Sequence, residues 1–182
     1  ILKLLEKDEE YNDDNNWGGK ALYYACCYKM ESVALKLIEK DINHNYRTHD
    51  TPSDDTPLRF ACIYKMDEVA LKLLANNVDV NNITWWGTSA LVLACENNME
   101  AVALKILERG ELDYNNKDDC GRTAFYYACK NHMESVVLKL LEKEDLIRCV
   151  LGTTWLEKII EKSKQNSNIT QNEEGEEDEL LW

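Results

Sequence analysis

The stretch Thr123–Glu142, TAFYYACKNHMESVVLKLLE, decides the fold, because related copies precede it in the chain at nearly constant spacing. Each copy contains an Ala-Cys pair, at Ala25-Cys26, Ala61-Cys62, Ala94-Cys95 and Ala128-Cys129. Successive pairs are separated by 36, 33 and 34 residues. A period near 33 residues is typical of a solenoid of stacked helix pairs, so the sequence predicts an all-α solenoid.

The second half of every copy has apolar residues at the i, i+3, i+4, i+7, i+8 spacing of one buried helical stripe. In the first copy this stripe predicts a helix over about Glu31 to Lys40, after a first helix over about Lys20 to Tyr28. The stripes consist of Met30, Val33, Ala34, Leu37 and Ile38; Met66, Val69, Ala70, Leu73 and Leu74; Met99, Val102, Ala103, Ile106 and Leu107; and Met133, Val136, Val137, Leu140 and Leu141. Burying one such side chain stabilises the fold by about 1.5–3 kcal/mol. A single repeat buries too few of them to offset the conformational entropy that is lost on folding, so the array is expected to fold as a whole.

The seven cysteines do not form a disulfide pattern, because four of them occupy one repeat position. These four, Cys26, Cys62, Cys95 and Cys129, are predicted to be buried as small apolar residues. Stacked repeats would place them about 10 Å apart, which is too far for a disulfide. Free thiols in a core favour a reducing, intracellular compartment, most simply the cytoplasm. Cys120 is expected at an exposed hairpin tip.

The run Thr56-Pro57-Leu58-Arg59-Phe60-Ala61-Cys62 resembles the Thr-Pro-Leu-His-x-Ala-Ala run that opens the first helix of ankyrin repeats. The resemblance implies helix pairs joined by β-hairpin-like finger loops, and a non-catalytic protein-binding module. None of the copies has the family's His, so the hydrogen bonds by which that His braces the hairpin are not expected. The second-helix phrase Val33–Ile38, VALKLI, is also similar to ankyrin arrays of large DNA viruses of amoebae, which would place the protein in a host cytoplasm.

The repeats predict an array over residues 1–146, with a half repeat at 1–14 and full repeats at about 15–46, 47–82, 83–116 and 117–146. The stretch 10–19, rich in Asn, Asp and Gly, is predicted as the first finger. A Thr-x-x-Glu capping box at Thr154–Glu157 predicts a C-terminal capping helix over 147–162. Residues 163–182 are polar and then strongly acidic, so they are predicted to be a disordered tail.

The net charge of −13 disfavours nucleic acid and anionic membrane surfaces as partners, because both require Lys and Arg. It favours a basic protein partner and speeds the encounter with one. No run of apolar residues is long enough to span a membrane, and no signal peptide is found. The chain begins at Ile1 without a Met, which suggests a fragment of a longer protein. A monomer is expected.

No catalytic motif is found, and we predict neither an enzyme nor a cofactor. The histidines His44, His49 and His132 are scattered. His44 and His49 share one finger with Asp50 and Asp54, which is the nearest approach to a metal site, but exposed loop histidines are usually solvated. We therefore predict no metal.

In ankyrin proteins the partner usually lies on the concave face, against the finger tips and the residues that follow Ala-Ala in the first helix. The resemblance carries these roles to Trp17, Tyr28, Ile63, Tyr64, Trp85, Trp86, Glu96, Asn97, Asp119, Cys120, Lys130 and Asn131. Trp and Tyr are enriched among interface hot spots, which makes the Trp85-Trp86 pair the strongest candidate. The alternative is that each Trp packs on its neighbouring finger and only stiffens the array.

Two other functions stay open. The array could be the substrate-recruiting part of a larger regulatory polypeptide, for instance a ubiquitin-ligase adaptor. It could also be a structural spacer with no face-specific partner.

Overall fold

The computed structural model describes residues 17–47, 55–84, 87–109 and 112–143. The chain divides into two units, Ile1–Val137 and Leu138–Trp182, and only residues 138–143 of the second are described. Within the described ranges the chain forms eight helices in four consecutive pairs. They are α1 Trp17–Cys27 with α2 Glu31–Ile38, α3 Pro57–Ile63 with α4 Asp67–Ala75, α5 Ala90–Glu96 with α6 Glu100–Leu107, and α7 Ala124–Lys130 with α8 Glu134–Lys143. The predicted half repeat, capping helix and acidic tail lie outside the described residues.

The helix pairs stack in two parallel rows, which confirms the predicted solenoid. The first helices of successive pairs pack together, α1 on α3, α3 on α5 and α5 on α7. The second helices form the other row, with α2 on α4 and α4 on α6. We call the first helix of each pair the inner helix and the second the outer helix.

Three of the inner helices begin at a hydroxyl side chain that caps the helix. The hydroxyl oxygens of Thr56, Ser89 and Thr123 each accept a hydrogen bond of 3.3 Å from the backbone N–H three residues later. Such a cap satisfies a donor that the first turn leaves unpaired, which stabilises the helix by about 1 kcal/mol. The Thr or Ser that opens each repeated phrase therefore fixes the start of its helix.

The first inner helix corrects the prediction, because α1 begins at Trp17 and not at Lys20. Lys20 occupies the position of the capping hydroxyls and has no acceptor oxygen in its side chain, so the helix is not capped there. Gly18 and Gly19, predicted as part of a finger turn, instead lie in the first turn of α1 and are buried. At its other end α1 stops at Cys27, one residue before the predicted end.

The turn between the helices of each pair has the same backbone geometry in all four described copies. Lys29, Lys65, Asn98 and His132 adopt positive φ values of 56–58°. The N–H of the following Met then donates to the carbonyl of the repeat's Ala, as in the 2.9 Å bond from Met66 to Ala61. This is a Schellman ending, in which a left-handed residue lets the chain reverse while the last carbonyls stay hydrogen-bonded.

The apolar stripes form the core, as predicted, with one exception. Val69, Ala70, Leu73 and their equivalents in the other outer helices are buried. Met66, Met99 and Met133 are buried as well, whereas Met30 is 36% exposed. Met30 lies immediately before α2, in the first of the four described pairs.

The repeated cysteines are free thiols in the core, as predicted for three of them. Cys26, Cys62 and Cys95 are buried, and burial raises the pKa of Cys26 and of Cys62 to about 12. Cys129, on the fourth inner helix, is only half-buried. Cys120 is exposed, as predicted.

Two finger loops have hairpin geometry in the part of the chain that the structure describes. Isolated antiparallel bridges join Ile83 to Ser89 and Lys117 to Thr123, which confirms the predicted hairpin-like fingers. Gly87 and Gly121 occupy equivalent turn positions with φ values of 73° and 76°. Of the finger between the first two repeats, residues 48–54 lie outside the described ranges.

The two finger glycines provide a matched pair of variants. Both Gly87→Ala and Gly121→Ala impose a positive φ on alanine, which costs about 1 kcal/mol. Only at position 87 would the new Cβ overlap the backbone carbonyl of Lys117 in the next finger, since a Cβ at 121 has open space around it. We expect urea unfolding to show a loss of about 1 kcal/mol for Gly121→Ala and at least about 3 kcal/mol for Gly87→Ala. Equal losses would mean that the two fingers do not touch at Gly87.

The thiols should differ in reactivity according to burial. A raised pKa keeps Cys26 and Cys62 protonated at pH 8, and burial blocks access, so the native protein should not be alkylated there by iodoacetamide. The exposed Cys120 should be labelled rapidly, and all thiols should be labelled in urea. Peptide mapping by mass spectrometry measures this. Labelling of native Cys62 at the rate of Cys120 would contradict the buried column.

Candidate protein-binding face

Four aromatic side chains at the C-terminal ends of the first two inner helices form two stacked pairs. The rings of Tyr24 and Tyr28 have centroids 6.1 Å apart with an interplanar angle of 15°. Those of Phe60 and Tyr64 are also 6.1 Å apart, at 8°. Each pair has the i, i+4 spacing that places two side chains one turn apart on one helix face. We call these four residues the aromatic ladder.

A buried tyrosine connects the two pairs of the ladder. The ring of Tyr23 lies edge-on to Tyr24 at 5.3 Å and edge-on to Phe60, in the next repeat, at 5.2 Å. Edge-to-face contacts of this kind are favourable because the ring edge is positive and the ring face negative. Since Tyr23 is itself buried, it fixes the spacing between the two stacked pairs.

The outer side of the ladder is open to solvent. Tyr28 is 69% exposed and Tyr24 is 41% exposed, while Phe60 and Tyr64 are half-buried. Trp17, in the first turn of α1, is 58% exposed, with the Lys20 ammonium 5.4 Å from its ring centroid. Large rings left in water are unfavourable, and contiguous exposed aromatic surface commonly marks a binding site.

In the last two repeats the Tyr28 and Tyr64 position is occupied by asparagines that hold the stack together. The amide of Asn97 donates to the Cys62 carbonyl at 3.1 Å. The amide of Asn131 donates to the Cys95 carbonyl at 2.7 Å and to the Glu96 carbonyl at 3.1 Å. These bonds add a donor from the next repeat to the last carbonyls of the preceding inner helix, and the Cys62 and Cys95 carbonyls also accept from backbone N–H groups of their own turns. They give both asparagines a structural role beside the predicted contact role.

The finger of the fourth repeat is organised by the carboxylate of Asp118. Its Oδ1 accepts from the backbone N–H groups of Cys120 and Arg122, at 2.9 and 2.8 Å. Its Oδ2 accepts from the Tyr127 hydroxyl at 2.7 Å and from Arg122 Nε at 3.0 Å. Burial alone would raise the pKa of Asp118, but these hydrogen bonds and the Arg122 charge together hold it below its usual value.

The Asp118 carboxylate is directed into the finger, whereas the tip of the finger is exposed to solvent. Asp119 and Cys120 are exposed there, and Glu96 and Lys130 are exposed at the ends of the neighbouring inner helices. Ligand atoms of Asp118, Asp119 and Cys120 lie within 4.8 Å of one another. Since both Asp118 oxygens already accept hydrogen bonds, we assign no metal to this cluster.

Arg59 stands where the family motif has its His, and it performs a bracing role that the sequence did not lead us to expect. Its Nε donates to Asp55 at 2.8 Å in a buried ion pair. Its Nη1 donates to the backbone carbonyl of Thr88 in the next finger. The guanidinium therefore ties one repeat to the next through a different donor.

A shallow cavity of about 350 Å³ lies beside this guanidinium, lined by Arg59, Thr84, Thr88, Leu93 and Asp119. Thr84 occupies the position of Asp118 in the third finger. Its Oγ1 is buried and has no hydrogen-bond partner among the described residues. At this position the third finger therefore has an unpaired hydroxyl, among the described residues, where the fourth finger has the fully hydrogen-bonded Asp118 carboxylate.

The predicted contact residues fall into three groups in the structure. Trp17, Tyr28, Ile63 and Tyr64 lie on the first two inner helices or immediately after them, at the aromatic ladder. Glu96, Asn97, Asp119, Cys120, Lys130 and Asn131 lie on the third and fourth repeats. Trp85 and Trp86 lie outside the described residues, so their predicted contact role stays a prediction. His49 also lies outside them, and the His44 ring is 3.2 Å from the Ile38 carbonyl.

The sequence reasoning missed Tyr24 and Phe60, although a signal for them was present. Both immediately precede the Ala-Cys pair and stand four residues before Tyr28 and Tyr64, which had been selected. An aromatic at i and i+4 in two consecutive repeats indicates an aromatic strip on the inner-helix row.

Comparison with known families agrees with this architecture. The family model described as ankyrin repeats, three copies, matches residues 58–149. This is half of the chain, and the protein belongs to the ankyrin-repeat family. No curated protein matches the sequence. Ankyrin repeats are generally non-catalytic protein–protein interaction modules, and within the described ranges no helix is both long enough and apolar enough to cross a membrane.

The Asp118 carboxylate should make the stability of the fold depend on acid pH. Because its folded pKa is lowered, the ionised group stabilises the protein above its ordinary pKa, and this contribution is lost as pH falls through the lowered value. Asp118→Asn should therefore cost about 1–2 kcal/mol in urea unfolding at pH 7, and the difference from wild type should shrink towards pH 3. The exposed Asp119→Asn is the matched control and should change little. If the difference in unfolding free energy between wild type and Asp118→Asn did not change with pH, the charge of Asp118 would not be the source of its stabilising effect.

Proposed function

We propose that this chain is a non-catalytic module that binds a partner protein through the face formed by its fingers and inner helices. The observation that carries the proposal is the aromatic ladder with its solvent-exposed outer side, together with the exposed Trp17 in the first turn of α1. The rings are held in place before binding, by stacking within each pair and by the buried Tyr23 between the pairs. Less side-chain entropy is then lost on association, which leaves more of the contact energy as affinity.

The polar half of the same face supports specificity more than affinity. Glu96, Asp119 and Lys130 are exposed charges on the third and fourth repeats, where they can select a partner of matching charge pattern. The two asparagines and Asp118 keep the backbone under these charges fixed. In this proposal the first two repeats anchor the partner and the last two discriminate among partners.

A photo-crosslinking amino acid placed at Tyr28 tests the face directly. In a lysate of the source cells, we expect the variant at position 28 to crosslink to a discrete protein. The same amino acid at Lys36, an exposed residue of the outer helix α2, serves as the matched control and should not crosslink to that protein. Crosslinking from position 36 with none from 28 would place the contact on the outer row.

Purification of the crosslinked protein then allows affinity to be measured. Tyr28→Ala and Tyr64→Ala should each weaken binding by about 2 kcal/mol, since truncated interface aromatics commonly cost that much. Circular dichroism melting checks that the fold is intact. Unchanged affinity in both folded variants, or no crosslink from either position, would favour a structural spacer. A substrate-recruiting role in a longer polypeptide would share the same face, and the identity of the crosslinked protein tests it.

A further inference from the structure

Three lysines accompany the aromatic ladder in the described part of an otherwise acidic chain. The protein has a net charge of −13, which by itself favours a basic partner. Lys20, Lys29 and Lys65 nevertheless stand beside the ladder, on α1 and in the turns that follow α1 and α3. Exposed charges are screened over about 8 Å at physiological salt, so the lysines beside a bound segment matter more than distant carboxylates.

Lys29 is placed against the ladder by a contact between repeats. Its Nζ lies 4.4 Å from the ring centroid of Tyr64, in the next repeat. A cation over a tyrosine ring is attracted by the negative ring face. This contact holds the ammonium at the junction of the two stacked pairs, where a segment lying across both pairs would pass.

Lys29 and Lys65 form no ion pair with any other residue that the structure describes. The nearest acids in sequence are Glu31 and Asp67, in the first turns of α2 and α4, where a carboxylate favours the positive end of the helix dipole. The two ammonium groups are therefore available to a partner.

The backbone does not by itself require lysine at these positions. The equivalent turn residues of the later repeats are Asn98 and His132, with the same positive φ. A left-handed conformation is more favourable for Asn than for Lys. The turn can form without lysine, yet lysine occupies this position in the two repeats that carry the aromatic ladder.

We propose that the aromatic ladder binds an acidic, extended peptide segment of the partner, with apolar side chains on the rings and carboxylates on Lys29 and Lys65. This inference rests on the proposed function and specifies the chemistry of the partner segment that is bound. The exposed ring of Tyr28 and the half-buried ring of Tyr64 receive the apolar side chains. The ammonium groups of the two lysines, one in each repeat, form ion pairs with acidic side chains of the same segment.

Single-stranded nucleic acid is the other polymer that combines anionic groups with stacking on aromatic rings. It fits less well, because each nucleotide adds a charge and the remainder of the polymer would extend over a protein surface with net charge −13. An acidic peptide can limit its charge to the residues that meet the lysines.

The test uses the full chain, immobilised, against a phage-displayed library of short random peptides. We expect the enriched peptides to be acidic and to contain Leu, Pro or aromatic residues. Synthetic versions should bind in fluorescence polarisation, and Lys29→Glu combined with Lys65→Glu should weaken them at least about tenfold, with a weaker effect at high salt. Lys36→Glu, which adds the same kind of charge change on an outer helix, is the matched control and should leave binding within about twofold.

The outcomes separate this inference from the proposed function. Enrichment of basic or neutral peptides that depend on Tyr28 and Tyr64 would overturn the acidic specificity and leave the face as the binding site. Peptides indifferent to Tyr28→Ala and Tyr64→Ala, in variants shown to be folded, would overturn both. Absence of any enriched peptide, or tighter binding of fluorescein-labelled oligo-dT than of the selected peptides, would also overturn the inference.

Discussion

Contact between neighbouring repeats is the constraint on which the rest of this structure depends. A pair of helices of seven to eleven residues has one narrow apolar stripe, and an isolated helix of that length is marginal in water. Burial of Val69, Leu73 and Met66 requires the pairs on either side, because each pair supplies only part of the cover. The packing of α1 on α3 and of α2 on α4 is therefore what makes each pair a folded element. The position of every exposed side chain on the inner row follows from that stacking.

How much could be predicted from the sequence depended on whether a residue repeats. Positions that recur, such as Met66 with Met99 and Cys62 with Cys95, were predicted correctly as buried, because the same position has the same packing role in each of these copies. The prediction that Met30 is buried was wrong, because it assumed that every copy of a repeated position is covered to the same extent. The inter-repeat role of Arg59 was missed because it occurs once, and no period points to it. The aromatic ladder could not be predicted in full, because the edge-to-face contact between Tyr23 and Phe60 joins two repeats and depends on how they pack.

The inner-helix row shows how one backbone position acquires different roles without a change of fold. Tyr28, Tyr64, Asn97 and Asn131 are equivalent in sequence and follow equivalent helices. The asparagines direct their amides to carbonyls of the preceding repeat, so the stack uses their donors. The tyrosines have rings in place of those amides, and their surface stays open. The residue type at this position thus divides the face into two halves. In one half the asparagines hold neighbouring repeats together, and in the other the tyrosines present ring surface to a partner.

The hydrogen bonds between repeats also limit how this chain can change in length. Asn97 reaches a carbonyl 35 residues earlier, Asn131 one 36 residues earlier, and Lys72 an acid 33 residues earlier. All of these separations are close to one repeat. Insertion of a single residue in an inner helix would turn each later side chain by about 100° and remove its partner from reach. Duplication of a whole repeat would instead give every donor an equivalent acceptor. Evolution of this chain should therefore proceed by gain or loss of complete repeats, which would lengthen the binding face in fixed steps while each existing contact is preserved.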